Sequence, residues 1–223
     1  MAAGREKGEE SKKLNMSRYI DPKCRLCRRA GEKLFLKGDR CFTPKCAITR
    51  RNYAPGQHGS KGKGRPSEFA LHLAEKQKLR RIYGLNERQF ANIFVRSSKK
   101  SGVVGHNFLI GLEMRLDSVV YRLKLAKSRN QARQLVNHGH FLVNDQKVDI
   151  PAYILEPGDT VKINPFSLRK AFFKDLLKET AKTEAGWLEF NSRKAEAKIL
   201  NQPDITKLDY TVDIAKVVEF YSR

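Results

Sequence analysis

The sequence has no long apolar run. Its longest stretch without a charged side chain, Ser101–Leu112, is 12 residues and includes a histidine. A helix needs about 20 apolar residues to cross a bilayer, so a membrane-spanning helix is excluded. The first 15 residues, MAAGREKGEESKKLN, lack an apolar core. They read as a flexible extension, not a signal peptide. A chain without a secretion signal is expected in a reducing compartment, the cytoplasm. Cysteine is scarce there too, with four in the chain, and such cysteines more often bind metal than pair. Acidic side chains are the other shortage: 24 Asp and Glu face 45 Lys and Arg, a formal net charge of +21 over 223 residues. Solubility needs only a few units of net charge. The excess therefore calls for a polyanionic partner, nucleic acid first and an anionic membrane surface second. Hydrophobic residues make up 40%, which excludes a fully disordered chain.

The charge is uneven along the chain. Residues 1–70 hold 18 basic and 7 acidic side chains, and residues 71–113 hold 8 and 3. Residues 114–164 hold 8 and 5, and residues 165–223 hold 11 and 9. A solvated face accounts for the balanced C-terminal part but not for the one-sided N-terminal half.

Residues 53–66, YAPGQHGSKGKGRP, form a loop rich in Gly and Pro. Lys61, Lys63 and Arg65 alternate with glycine there, so the backbone can approach phosphates closely. A helix follows from Pro66-Ser67-Glu68, with Phe69, Leu71, Leu73 and Leu79 as apolar anchors. Asn86 caps a second helix, in which Phe90, Ile93 and Phe94 fall on one face. Between them Lys76, Lys78, Arg80 and Arg81 are offset only by Glu75. They are expected to form a phosphate-contacting face, the alternative being a solvated helix face. Residues 97–105 read as a linker.

Cys24, Cys27, Cys41 and Cys46 make C-x2-C-x13-C-x4-C. The x2 spacing lets two thiolates point at one ion, and four thiolates suit a closed, structural zinc site. The segment is too short to build a core, so metal would supply its folding energy. An iron–sulfur cluster is the lesser metal alternative, and metal-free cysteines remain a third reading. Arg28 and Arg29 belong to a basic collar around these cysteines.

Residues 114–164 read as a compact module. Leu116, Val119, Val120 and Leu123 form one helical stripe, and Ser128 caps a second helix over 129–137. Phe141-Leu-Val143 runs into Asn144-Asp145, a hairpin turn pair, and Pro157-Gly158-Asp159 turns into a further strand. This order places Arg129, Arg133, His138, His140 and Lys147 on one side. The bland reading of His138-Gly-His140 is RNA contact or packing, since no third metal ligand lies nearby. Trp187 and Phe172-Phe173 read as core.

RLDSVVYRLKLAKSRNQARQLVNHGHFLVNDQKVDIPAYILEPGDTVKI resembles the small RNA-binding module of the small-subunit ribosomal protein S4 family. SRYIDPKCRLCRRAGEKLFLKGDRCFTPKCAITRRNYAPGQHG is similar to the zinc-binding N-terminus of its bacterial four-cysteine members, EKQKLRRIYGLNERQF to its helical domain, and VVEFYSR to its C-terminus. The resemblance covers about residues 16–223; residues 191–214 match poorly, and Met16 resembles the usual start. It implies an α+β protein: a flexible extension (1–15), a zinc knuckle and basic loop (16–60), a helical domain (61–113), the RNA-binding module of two helices and an antiparallel sheet (114–164), and a helix with strands packing on both (165–223). It implies no enzyme and no small-molecule substrate. It implies a cytoplasmic constituent of the small ribosomal subunit that binds the five-prime domain of 16S rRNA and nucleates assembly. Neighbours would be small-subunit proteins three and five, beside the channel through which mRNA enters, with a bearing on translational accuracy. Some members also repress their own mRNA. Arg50, Arg51, Tyr53, Gln57, His58 and Arg88 complete the expected RNA-contacting set. Lys124 stands where the family module usually has glycine, so the turn after the first module helix is expected to differ.

Two other classes compete. An RNA-modifying enzyme could use the module as a clamp, but there is no Gly-rich phosphate loop, no G-x-S-x-G and no acidic pair in an apolar setting. Asp117 then reads as a surface or capping carboxylate. A DNA-binding zinc protein would need a recognition helix where the Lys/Gly loop stands.

Overall fold

A computed structural model of the chain describes residues 19–61, 64–179, 185–205 and 211–222. The elements, in chain order, begin with α1 (Cys24–Ala30), a 3-10 turn at Gly38–Cys41, α2 (Ala47–Arg50) and a second 3-10 turn at Gly59–Lys61. Helices α3 (Glu68–Tyr83), α4 (Glu87–Ser98) and α5 (Val104–Glu113) follow, then α6 (Leu116–Arg122) and α7 (Arg129–Asn137). Strands β1 (Phe141–Val143), β2 (Gln146–Lys147) and β3 (Thr160–Ile163) lead to α8 (Pro165–Leu168) and α9 (Ala171–Glu179). Strands β4 (Leu188–Asn191) and β5 (Glu196–Ile199) and helix α10 (Ile214–Ser222) complete the chain. The mixed helix and antiparallel sheet agree with the expected α+β class.

Helix starts follow capping chemistry. Ser67, Asn86 and Ser128 each accept a hydrogen bond from the backbone N–H three residues on, satisfying one otherwise orphaned donor. The β1–β2 turn is made by Asn144 and Asp145, both at positive φ (49° and 65°), as a tight primed turn requires. Asn144 is held there because its side chain accepts from Thr160 N (2.9 Å) and donates to Asp159 (2.8 Å). Lys124 sits at φ 58°. The turn after α6 thus keeps the left-handed step glycine would take easily, and lysine bears the strain.

One core lies between α6, α7 and the sheet. Leu116, Val119, Val120, Leu123, Ala132, Val136 and Phe141 are fully buried there, with Phe173 and Trp187. The sheet has the order β2-β1-β3-β5-β4, antiparallel throughout. Residues beyond 164 therefore extend the module's own sheet through β3–β5 pairing, as well as packing on it. A second core joins α3, α4 and α5 with α10: Phe90 meets Phe108 edge-on at 5.0 Å, and Tyr221 stacks on Phe94 at 4.6 Å. The knuckle has only a small cluster around Cys27, Leu34, Cys46 and Ile48.

Two readings of packing need correction. Phe69 and Leu71 are exposed, Phe69 resting against Phe220, while α3 turns His72, Lys76, Lys78, Leu79 and Tyr83 inward. The inward stripe is mostly polar, so of the expected apolar anchors Leu79 is buried and Leu73 half-buried, while the other two lie outside. Phe172 is exposed, unlike its neighbour Phe173.

Candidate nucleic-acid interface

The expected RNA-contacting cations divide into an outer set, an inward set, and Arg28, Arg80, Arg81 and Arg129, which are half-buried. On the surface stand Arg29, Arg50, Arg51, Arg65, Arg88, Lys61 and Lys147, with Gln57, His58 and His138. Lys63 lies outside the described residues. Arg28 is half-buried: its guanidinium donates to the carbonyls of Tyr53 (2.9 Å) and Ala54 (3.2 Å) and lies 4.7 Å over the Tyr53 ring. It thereby ties the basic loop to α1, an anchoring role that sequence spacing does not reveal.

The inward set corrects the expectation for α3. Lys76 is 5% exposed, bonds Glu87 at 2.6 Å, and lies 4.4 Å over the Phe220 ring. Lys78 pairs with Glu32 at 2.8 Å and donates to the Thr211 carbonyl. Neither has the surface to meet a phosphate, because each ammonium is itself buried and held by partly exposed carboxylates. Asp117 is not a surface carboxylate. It is 2% exposed and accepts from Arg115 (3.0 and 3.1 Å) and from Arg133 (2.9 and 2.6 Å). Arg133 also donates to the carbonyls of Tyr83 and Gly84 at the end of α3, where orphaned carbonyls and the helix dipole favour a cation. It therefore clamps the helical domain to the module. Glu113, fully buried, accepts from Arg122 (2.8 Å twice), Arg129 (3.3 Å) and the Tyr83 hydroxyl.

His138 and His140 have ring centroids 6.1 Å apart. His140 Nδ1 meets Ser167 Oγ at 2.8 Å, and its ring packs edge-on to Phe173. Burial holds its pKa below the ordinary histidine value, and Lys170, His138 and Lys147 push the same way. It is neutral at pH 7 and acts as a packing residue. Arg115, Arg133 and His138 line a polar cavity with Gln89 and Asn137. Arg80, Arg81 and Arg129 line a second with Tyr19 and Tyr121.

The four cysteines border one space. All are free thiols lining one small cavity of about 10 Å³, and Cys27, Cys41 and Cys46 are each 8% exposed. Lys37 N donates to Cys41 Sγ at 3.4 Å. Burial pushes the Cys27 thiol up. At Cys46 burial is outweighed by the N–H groups of Ile48 and Thr49 and by Lys33, and its thiol is lowered. The donor set suits a soft, thiophilic ion, although among the described residues no group of three or more Cys, His, Asp or Glu is drawn together to hold one.

Sequence reasoning missed the exposed aromatics. Phe42 is 75% exposed and stacks on Phe35 at 5.1 Å. Phe166 is equally exposed beside Arg169. Their basic neighbours in sequence were the available signal.

No helix among the described residues is long and apolar enough to cross a membrane. Residues 18–113 match the family described as ribosomal protein S4/S9 N-terminal domain, and residues 114–161 match the S4 domain. The chain is similar to proteins described as small ribosomal subunit protein uS4. That of Halothermothrix orenii is 51% identical over 209 residues, covering 93% of this chain and all of that protein. That of Thermus thermophilus is 52% identical over 209 residues with the same coverage. That of Clostridioides difficile is 49% identical over 210 residues, again covering 93% of this chain and all of that protein.

Proposed function

The chain belongs to the family of small ribosomal subunit protein uS4, and from that premise we propose how its surface serves the subunit. It is a structural constituent of the small ribosomal subunit that binds 16S rRNA; it is not an enzyme, and it works on the cytoplasmic ribosome. The observation that carries the binding surface is the division of its cations. Arg29, Arg50, Arg51, Lys61, Arg65, Arg88 and Lys147 are exposed, while Lys76, Lys78 and Arg133 are themselves buried, in ion pairs with Glu87, Glu32 and Asp117. The exposed set neutralises phosphate and releases counterions, and the module contributes shape.

The finer assignments are part of the proposal. The RNA target is the five-prime domain, where binding nucleates assembly, with small-subunit proteins three and five and the incoming mRNA as neighbours and an influence on accuracy. Repression of its own mRNA would use the same surface. The family resemblance of the N-terminal and module motifs supports these assignments.

One structural zinc ion, held by Cys24, Cys27, Cys41 and Cys46, belongs to the same reading. Their common cavity supports it. The ion would cross-link a knuckle that has little core of its own. Metal analysis of the purified chain is expected to find about one zinc per chain; under half an equivalent with all thiols titratable would overturn this.

The test of RNA binding is competition. The full chain is expected to prefer a 16S five-prime-domain transcript to duplex DNA and to protect a single multi-helix junction. Equal affinity for the two, or scattered protection, would contradict the reading.

A further inference from the structure

Between α1, the end of α3 and the α6–α7 corner lies a cavity of about 270 Å³. Its walls alternate in chemistry: Tyr19, Phe35 and Tyr121 are aromatic, and Arg80, Arg81 and Arg129 are cationic. Three observations single it out from the exposed basic surface. First, Arg81 Nε is buried without a hydrogen-bond partner among the described residues, and Arg129 Nε shares that condition. A buried, unmet donor is costly, and an anion bound at the cavity-lining part of the same guanidinium would offset that cost. Burial, with Arg80 and Arg29 close by, disfavours the charge on Arg81, which an incoming anion would relieve. Second, the Arg129 guanidinium is fixed 4.5 Å over Tyr121 and 4.6 Å over Tyr83. It therefore holds the Tyr121 ring of the aromatic wall in a fixed position. Third, Phe35 holds φ 49°, a conformation that a non-glycine residue keeps only when its surroundings impose it. That strain falls on an aromatic wall of the cavity.

We propose that this cavity accepts one unstacked nucleotide of the bound RNA, its base against the aromatic wall and its phosphate on Arg81. The chemistry recognised is that of a nucleoside monophosphate, and the source is the RNA chain. The inference rests on the rRNA-binding reading and adds to it a single-nucleotide site among contacts that otherwise read only backbone charge. Aromatic side chains stack any base face, and an arginine meets phosphate with directed, charge-assisted hydrogen bonds. The three walls come from the knuckle, the helical domain and the module, so an inserted nucleotide would read their relative placement.

The test uses the full chain on a 16S five-prime-domain transcript, with base methylation and 2′-hydroxyl acylation as readouts. Leu26→Trp fills the cavity without altering charge, and Arg81→Met removes the donor while keeping the stem. Thermal unfolding checks that both fold. The expected result is one nucleotide shielded by the wild type and reactive in both variants, the rest of the footprint unchanged, and affinity lower by about tenfold. Every protected nucleotide staying protected in both variants would overturn the proposal. Photo-crosslinking of the wild-type complex through 4-thiouridine supplies an arm independent of either variant's folding. A crosslink to Tyr19, Phe35 or Tyr121 is expected, and crosslinks only elsewhere would count against the site. AMP without RNA separates the two sources. Tight AMP binding that Leu26→Trp abolishes would assign the cavity to a free nucleotide and overturn the RNA commitment. A wild type that protects no part of the transcript would instead contradict the rRNA reading itself.

Discussion

Arginines and lysines serve two opposite purposes in this molecule. Around α3, α6 and α7, Lys76, Lys78, Arg115, Arg122 and Arg133 meet Glu87, Glu32, Glu113 and Asp117 in networks that join one part of the chain to another. On the knuckle and its loop, Arg50, Arg51, Lys61 and Arg65 are exposed. Among the described residues the buried charges are Lys76, Lys78, Arg115 and Arg133 against Glu113 and Asp117, so burial sorts the cations without making the outer face more one-signed. A charge count registers the excess; only the position of the acids says where it is displayed.

Breaking the inner network should have the largest effect. Asp117→Ala leaves Arg115 and Arg133 buried without their carboxylate, and removing one partner of a buried pair costs about 3–5 kcal/mol. Denaturant unfolding should show that loss, while rRNA affinity per folded molecule stays close to wild type. A loss under ~1 kcal/mol would show that the network is dispensable.

A smaller effect should appear on acidification. The folded-state pKa of His140 is depressed by burial, followed by Lys170, His138 and Lys147, from an ordinary value of 6.5. The unfolded chain therefore takes up the proton first. Stability is present above pH 6.5 and declines as pH falls through the lower folded value. His140→Gln should flatten this decline in unfolding measured between about pH 7 and 5; an undiminished slope would assign it to other groups.

The smallest effect concerns strain outside both cation sets. Lys124→Gly exchanges a left-handed lysine, φ 58°, for a residue that adopts this conformation freely. The relief outweighs glycine's extra unfolded-state freedom by up to about 1 kcal/mol. A higher unfolding midpoint with unchanged rRNA affinity is expected.

Local features were legible in the sequence. Asn86 and Ser128 cap the helices that their spacing announces, and Asn144-Asp145 makes the hairpin turn, because caps and turns are decided by neighbours in sequence. The interior of α3 was not legible. Its inward face carries His72, Lys76 and Lys78, which look like surface residues until Glu219, Glu87 and Glu32 arrive from distant segments. Asp117 misled for the same reason: Arg133 reaches it only once α7 packs on α6. In the candidate interface, the cations were readable as a set but not their division. The cavity at Arg81 needs three separate segments to exist.

The salt dependence of rRNA binding tests that division most directly, with Arg50→Gln/Arg51→Gln and Lys76→Met measured beside the wild type on the five-prime-domain transcript. Each phosphate that is no longer neutralised lowers the slope of log affinity against log salt by about 0.7–0.9. The account predicts a slope shallower by about 1.5 for the double variant and an unchanged slope for Lys76→Met, whose effect should appear in stability alone. A shallower slope for Lys76→Met, or an unchanged one for the double variant, would contradict it.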